Sequence, residues 1–325
     1  MKCQTRRLGW RPGRKEGDTV SRSGPNVSAN RSNFPSVNAS ILYGDALENL
    51  KRIQDSSVQL VITSPPYNIG KEYEVKRGYS EYLEEMELII TELVRVLKPG
   101  GSICWQVGNG IRKGEVIPLD ALFYPIFKSK GLALRNRIVW SFGHGLHAQR
   151  RFSGRHETIL WFTKGKEYVF NLDSVRVPAK YPNKKHYKGP NKGQLSGNPL
   201  GKNPGDVWEI TNIKALHPEK TSHPCQFPVA LVDRLVKSLS NPGDLVIDPF
   251  LGSGTTLIAA AINGRQSLGI EISKKYVGIS KKRIRSLIEG SLRWVIPLKE
   301  SSIETKKPTK TKKPSRKSFN ARRAN

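Results

Sequence analysis

Cysteine is scarce in this chain: three in 325 residues, at Cys3, Cys104 and Cys225, with no pair at zinc-finger or redox spacing. That excludes a disulfide framework and a structural zinc site, and it fits a reducing cytosol. Long apolar runs are missing too, so no segment reads as a membrane span. Acids are in short supply: 27 Asp and Glu stand against 55 Lys and Arg, a formal net charge of +28. Residues 1–40 hold eight of the basic side chains with two acids, and residues 299–325 hold ten with two. Half of the excess therefore belongs to the globular part, which points to a polyanionic partner.

Residues 1–37 are rich in Ser, Arg, Asn, Gly and Pro, and the tail from residue 299 carries the run KKPTKTKKPSRK. Both read as disordered basic tails. Glu16, Asp18 and scattered prolines argue against an amphipathic targeting helix at the start. Between the tails, strand and helix patterns alternate. Strands are predicted over 41–43, 60–63, 102–107, 137–140, 158–162, 244–247 and 267–272, and helices over 82–97, 119–128, 228–239, 255–262 and 276–287. This rhythm predicts an α/β fold with a doubly wound, mostly parallel sheet. Residues 165–222 break it with no convincing regular element. Within them, Lys180 to Lys202 carries six lysines and no acid, mixed with Tyr181, His186 and Tyr187. Lysines interleaved with aromatics favour nucleic-acid contact through Lys180, Lys184, Lys185, Lys188 and Lys192; a solvated surface loop is the plainer alternative.

Two motifs carry chemistry. The first is NPGDLVIDPFLGSGTT, residues 241–256: an apolar strand, a glycine corner and a helix start. Gly252 and Gly254 let the backbone come close to a ligand. Thr255 and Thr256 are placed to cap the helix. Glu271, at the end of the next apolar strand, can accept hydrogen bonds from both hydroxyls of a ribose. The third glycine of a dinucleotide fingerprint is absent, and no Gly-Lys-Ser/Thr of a P-loop follows. What remains is a nucleoside corner without pyrophosphate machinery. S-adenosylmethionine fits it: an adenosine, no phosphates, and a sulfonium whose positive charge would sit well near Asp248.

The second motif is Thr63-Ser64-Pro65-Pro66-Tyr67, at the end of a strand apolar enough to be buried on both faces. Two prolines remove N–H donors and leave carbonyl acceptors on a rigid corner. Such a corner grips a donor, while Tyr67 offers a flat face for stacking. A planar base with an exocyclic amino group meets both requirements. Hydrogen bonds from that amino group to the Ser64 hydroxyl oxygen and the Pro65 carbonyl would return electron density to a poorly nucleophilic nitrogen and hold it in line with a methyl donor. A base within a duplex cannot reach the corner, so it must flip out.

Together these motifs resemble the amino-methylating, restriction–modification DNA methyltransferases over residues 38–287. The order, catalytic corner first and cofactor corner later, is similar to the circularly permuted β group, which carries its target-recognition region between them. Glutamine and guanine-N2 methyltransferases with an Asn/Asp-Pro-Pro-Tyr corner have the opposite order. The resemblance implies a Rossmann-like methyltransferase sheet with 38–164 as the catalytic half, 165–222 as an irregular target-recognition insert and 223–298 as the cofactor half. Tails run over 1–37 and 299–325. It implies S-adenosylmethionine as cofactor and no metal. Asp248, Phe250, Gly252, Gly254, Thr255, Glu271, Asp45 and Phe227 would bind the cofactor, and Ser64, Pro65, Pro66 and Tyr67 would be catalytic. Asp45 follows from the likeness of Tyr43-Gly44-Asp45, and Phe227 from that of the segment 223–228, which closes over the methionine end. Arg155-His156-Glu157 resembles the start of a strand near the base pocket. Ser-Pro-Pro-Tyr accompanies cytosine N4 in this family, with adenine N6 the alternative and a defunct nucleic-acid-binding module the other. Double-stranded DNA, a cognate restriction endonuclease and a cytoplasmic location in a bacterium or archaeon complete the expectation.

Overall fold

The structure is a computed structural model, and it describes residues 27–28, 37–68, 77–143, 145 and 147–294. The expected tails 1–37 and 299–325 fall almost wholly outside these residues. In chain order the elements are β1 (Val27–Ser28), β2 (Ala39–Tyr43), α1 (Ala46–Leu50), β3 (Val58–Thr63), α2 (Tyr79–Val96), β4 (Leu97–Val107), β5 (Asn109–Arg112), β6 (Glu115–Pro118) and α3 (Leu119–Ser129). After these come β7 (Ala133–Ser141), β8 (His156–Thr163), β9 (Val207–Glu209), α4 (Val229–Leu239), β10 (Leu245–Asp248), α5 (Thr255–Ile262), β11 (Gln266–Glu271), α6 (Lys274–Ile288) and β12 (Arg293–Trp294).

Eight strands form one sheet in the order β2-β11-β10-β3-β4-β8-β7-β9. Every pairing in it is parallel except the two made by β8. The fold is thus the doubly wound, mostly parallel sheet that the alternation predicts. β3 shows why the sheet is covered on both sides. Leu60 and Ile62 point into one core with α4 and α5, while Val61 points into a second core with α2 and α3. A strand with period-2 side chains and two apolar faces has nowhere to sit except between helix layers. The second core centres on Trp105, whose ring meets Phe123, Phe127 and Phe250 edge-on. α2 supplies Tyr82, Met86, Ile89, Ile90 and Leu93 at helical spacing.

The two halves of the sequence interleave. β10 and β11 come from the C-terminal half, yet they insert between β2 and β3. β10 pairs directly with β3, Val246 beside Leu60. From that pair β10–α5–β11 winds one way and β3–α2–β4 the other. The carboxyl ends of β3 and β10 therefore flank a switch point, where open α/β sheets open a crevice.

Three features differ from the sequence expectations. α2 ends at Val96, within a residue of the expected helix end, but the chain passes directly into β4 at Leu97, with a register shift against β3 at Val58/Leu60, so the strand begins five residues before the expected 102 and takes in Pro99-Gly100-Gly101. The hairpin β5–β6 and the short helix α1 are additions that no periodic pattern announces. The segment 165–222 is also not irregular throughout: β9 extends the sheet beside β7, and Trp208 and Ile210 are buried in its first core. The separate compact unit is narrower, its described part being residues 176–204, while 205–222 belongs with the sheet. That unit is built from turns: bridges at Val177–Lys202 and Lys185–Leu195, with His186 N–H donating to the Gln194 carbonyl at 2.9 Å. Its five predicted contact lysines are all exposed, as is Tyr187. Among the described residues no helix is long and apolar enough to cross a membrane, and no cluster of His, Cys, Asp and Glu could hold a metal ion.

Candidate cofactor cleft and target-base corner

A cavity of roughly 300 Å³ opens at the carboxyl ends of β3 and β10. Ser64, Pro65, Pro66 and Tyr67 line it together with Phe250, Gly252, Thr255, Glu271, Asp45 and Phe227, whereas Asp248 and Gly254 are not among its lining residues. The structure therefore brings together the two corners read from the sequence.

The side after β10 is made by sharp backbone turns. Gly252 and Gly254 take φ of +52° and +80°, a region that favours glycine. A Cβ on Gly252 would stand 2.9 Å from His223 Nε2, and one on Gly254 2.9 Å from Ser280. Glu271 spans the turn: one carboxylate oxygen accepts from the Gly252 N–H and the other from the Ser273 N–H, both at 2.8 Å. The Ile272 N–H also reaches this carboxylate; with about four acceptor directions in all, it keeps room for a hydroxyl in the cleft. Burial lifts the Glu271 pKa above the usual carboxylate range. Gly44 N–H donates to the Glu271 carbonyl at 3.0 Å, which brings Asp45 to the same side. Asp45 also caps α1, accepting from the Glu48 N–H at 3.0 Å.

Asp248 does something other than the sequence suggested. Its buried carboxylate accepts from Thr63 Oγ1 and Thr256 Oγ1, both at 2.7 Å, and from the Phe250 N–H at 3.1 Å. Thr63 ends β3 and Thr256 lies in the first turn of α5. Asp248 is thus a brace that joins the two corners behind the cleft, and its oxygens are already engaged by protein donors. Burial raises its pKa to about 6. The threonines are likewise not caps: Gly254 is the N-cap of α5, Thr256 serves Asp248, and Thr255 accepts from Arg283 at 2.9 Å.

The segment before α4 is tied down by a buried acid the sequence reading passed over. Glu219 accepts from the Val229 N–H at 2.9 Å, capping α4 from outside, and lies 3.9 Å from the Arg283 guanidinium. Gln226 donates to the Glu219 carbonyl at 2.8 Å. These bonds fix Phe227 at the cleft, while His223 packs edge-on against Tyr276.

The proline corner is held from three directions. Tyr82 of α2 donates to the Pro66 carbonyl at 2.6 Å. Asn68, at φ +58°, exchanges side-chain hydrogen bonds with the Arg77 backbone at 2.8 and 2.9 Å. Ser64 Oγ donates to the Tyr67 hydroxyl at 3.2 Å, which in turn donates to Glu157 Oε2 at 3.5 Å. Gln106 Nε2 donates to the same Glu157 oxygen. Burial lifts Glu157 to about 7, and burial together with Glu157 holds the Tyr67 phenol well above its ordinary pKa. Gly108 makes room: a Cβ there would lie 3.1 Å from the Tyr67 ring and 3.2 Å from Glu157.

Chemically, the cleft offers a carboxylate for vicinal hydroxyls, the ring of Phe250, the exposed Ile272 beside Glu271, and no cradle of the P-loop kind. These residues fit an adenosyl group joined to a small charged chain, which is the make-up of S-adenosylmethionine.

Comparison with known proteins agrees. The family described as DNA methylase matches residues 58–282. The Type II methyltransferase M.BglII of Bacillus subtilis is 54% identical over 251 residues, 77% of this chain and 70% of that protein. Among solved structures, the Thermus thermophilus protein TTHA0409 complexed with S-adenosyl-L-methionine shares 27% identity at a TM-score of 0.56, over 79% of this chain and 99% of that one. The cytosine-N4-specific PvuII DNA methyltransferase shares the fold, with a TM-score of 0.61 at 22% identity over 78% of this chain and 93% of the other.

Proposed function

This chain belongs to the DNA methylase family, and from that premise we propose that it methylates the N4 amino group of a cytosine flipped out of duplex DNA at a short specific site. The coarser activity, S-adenosylmethionine-dependent methylation of an amino group in DNA, follows from the family. The observation that carries the reading of an amino-group site is the Ser64 corner facing the cofactor cleft across one cavity.

In this reading Glu271 receives the ribose hydroxyls, Phe250 and Ile272 flank the adenine, and Phe227 closes the far end. S-adenosylmethionine supplies an electrophilic methyl group. Everything else is done by the chain. Ser64 and the Pro65 carbonyl accept hydrogen bonds from the amino group, so that its lone pair is drawn out of the ring and aimed. Tyr67 stacks on the base. Asp248 keeps the two corners in register. The serine in place of an acid favours cytosine N4, by likeness to the family; adenine N6 is the second reading.

The exposed lysines of 176–204 are read as contacts to DNA phosphates. A second basic element supports a DNA-facing edge: the loop between β7 and β8 carries Arg150 and Arg151 beside a fully exposed Phe152. β7 and β4 end together against the start of β8, so this loop leaves the sheet at the edge where the base corner lies. Similarity to Type II methyltransferases supports a restriction–modification role with a cognate endonuclease.

Incubation with duplex DNA and methyl-labelled S-adenosylmethionine tests the reading. Label should enter the DNA and be lost in Ser64→Ala, while calorimetric cofactor affinity stays within a few-fold of wild type. Unlabelled DNA from a protein that binds the cofactor would contradict it and favour a defunct module.

A further inference from the structure

Methylation of an amino group leaves one proton too many on nitrogen, and Ser64 is too weak a base to keep it. The contacts around the corner supply a route. Ser64 donates to Tyr67, and Tyr67 donates to Glu157. The two hydroxyls donate in the same direction, from the cavity wall to the buried Glu157 carboxylate, which accepts. Ser64 lines the cavity, so the oxygen that receives a proton at one end faces the target. Glu157 reaches this place from a distant part of the sequence, because β8 pairs antiparallel with β4 and sets Thr158 opposite Val107. Gln106, at the end of β4, donates to the same carboxylate oxygen that Tyr67 faces. Gly108 lets ring and carboxylate approach.

We infer that Glu157 is the terminal proton acceptor of the reaction, acting through the Tyr67 and Ser64 hydroxyls. The inference rests on the reading of Ser64–Tyr67 as the target-base corner, and it holds whether the base is cytosine or adenine. As the N–CH3 bond forms, the amino proton passes to Ser64 Oγ. The serine's own proton passes to the Tyr67 oxygen, and the tyrosine's to Glu157 Oε2. The amine loses one proton, Glu157 gains one, and both hydroxyls end as they began. The raised Tyr67 pKa disfavours a phenolate, so the transfers move together. The Tyr67–Glu157 separation of 3.5 Å is long, as catalytic hydrogen bonds often are before a target is bound. Glu157 is therefore a positioning residue with a second duty: it holds Tyr67 and receives its proton.

The groups facing Glu157 are few. Tyr67 from the corner and Gln106 from β4 face it, while Cys225, from the segment before α4, lies within electrostatic reach of Tyr67. With a pKa of about 7, Glu157 is ionised and able to accept only at neutral pH and above.

Single-turnover methylation of duplex DNA between pH 6 and pH 9 tests this. The wild-type rate should rise about tenfold from pH 6 to pH 8 and then level, as ionised Glu157 accumulates. E157Q should lose on the order of 10²-fold at pH 8 and show a flat profile. Tyr67→Phe keeps the ring but breaks the chain, so it should show the same flat profile, and it covers the case in which E157Q fails to fold. A further readout is independent of activity. E157Q should melt at higher temperature than wild type at pH 8 and at the same temperature near pH 4, where Glu157 is protonated in the folded chain and largely so in the unfolded one. An E157Q rate within twofold of wild type, or a variant that keeps the wild-type pH profile, would overturn the relay. Wild-type protein that transfers no methyl to DNA would overturn the reading of the corner itself.

Discussion

At the scale of the residue, the site turns on a few side chains whose neighbours decide their roles. Tyr67→Ala removes the stacking face, a loss of about 1–3 kcal/mol by the scale of base–aromatic contacts. kcat/KM should fall by roughly ten- to a hundredfold, and steady-state methylation measures it; an unchanged value would mean the base stacks elsewhere. Asp248 is a different case, because its carboxylate satisfies three donors at once. Asp248→Ala leaves the Thr63 and Thr256 hydroxyls buried without their acceptor, at about 1–3 kcal/mol each. Denaturant titration should show the loss, with weaker cofactor binding alongside; an unaltered midpoint would remove the brace. The two buried acids also set a pH dependence. Burial raises Asp248 to about 6 and Glu157 to about 7, so from about pH 4 to 7 the folded chain holds protons that the unfolded chain has released. Folding stability should decline with rising pH over that window and level above it. Stability measured at pH 5 and pH 8 checks the sign.

At the scale of the element, what could be read beforehand follows from burial. β3 and β10 were legible because strands with two apolar faces have one reading, and the glycine and proline corners carry their chemistry within a few consecutive residues. α2 was legible from its 3.6-residue period. The pairing that gives these pieces meaning was not. Asp248 looked like a ligand for a positive charge because its partner Thr63 lies 185 residues away. Glu157 was visible only as the start of a strand, since its approach to Tyr67 depends on the β4–β8 register. β9 was missed because three residues carry no period, and its burial rests on Trp208 alone. The segment before α4 offers a test at this scale. Glu219→Ala would uncap α4 and leave Arg283 buried without its acid, a cost of about 3–5 kcal/mol for a broken buried pair. Hydrogen exchange over 219–230 should quicken and cofactor affinity should drop; protection like that of wild type would show the acid to be dispensable.

At the scale of the whole molecule, charge and topology act together. A net charge of +28 predicts DNA binding that weakens steeply with salt, because each neutralised phosphate releases counterions. Replacing Lys184, Lys185, Lys188 and Lys192 with alanine should flatten the slope of log K against log salt by up to about 0.9 for each phosphate no longer neutralised. A slope that does not change would place the phosphate-binding side chains elsewhere. Topology does the rest: inserting the C-terminal strands between β2 and β3 sets the glycine corner after β10 beside the proline corner after β3 across one switch point. The central claim is that this pair of corners methylates cytosine at N4. Nucleoside mass spectrometry tests it most directly, on unmethylated duplex DNA digested after incubation with the protein and S-adenosylmethionine. The account predicts N4-methylcytosine, absent when Ser64 is replaced by alanine; N6-methyladenine in its place would contradict the assignment of the base, and no methylated nucleoside would contradict the account as a whole.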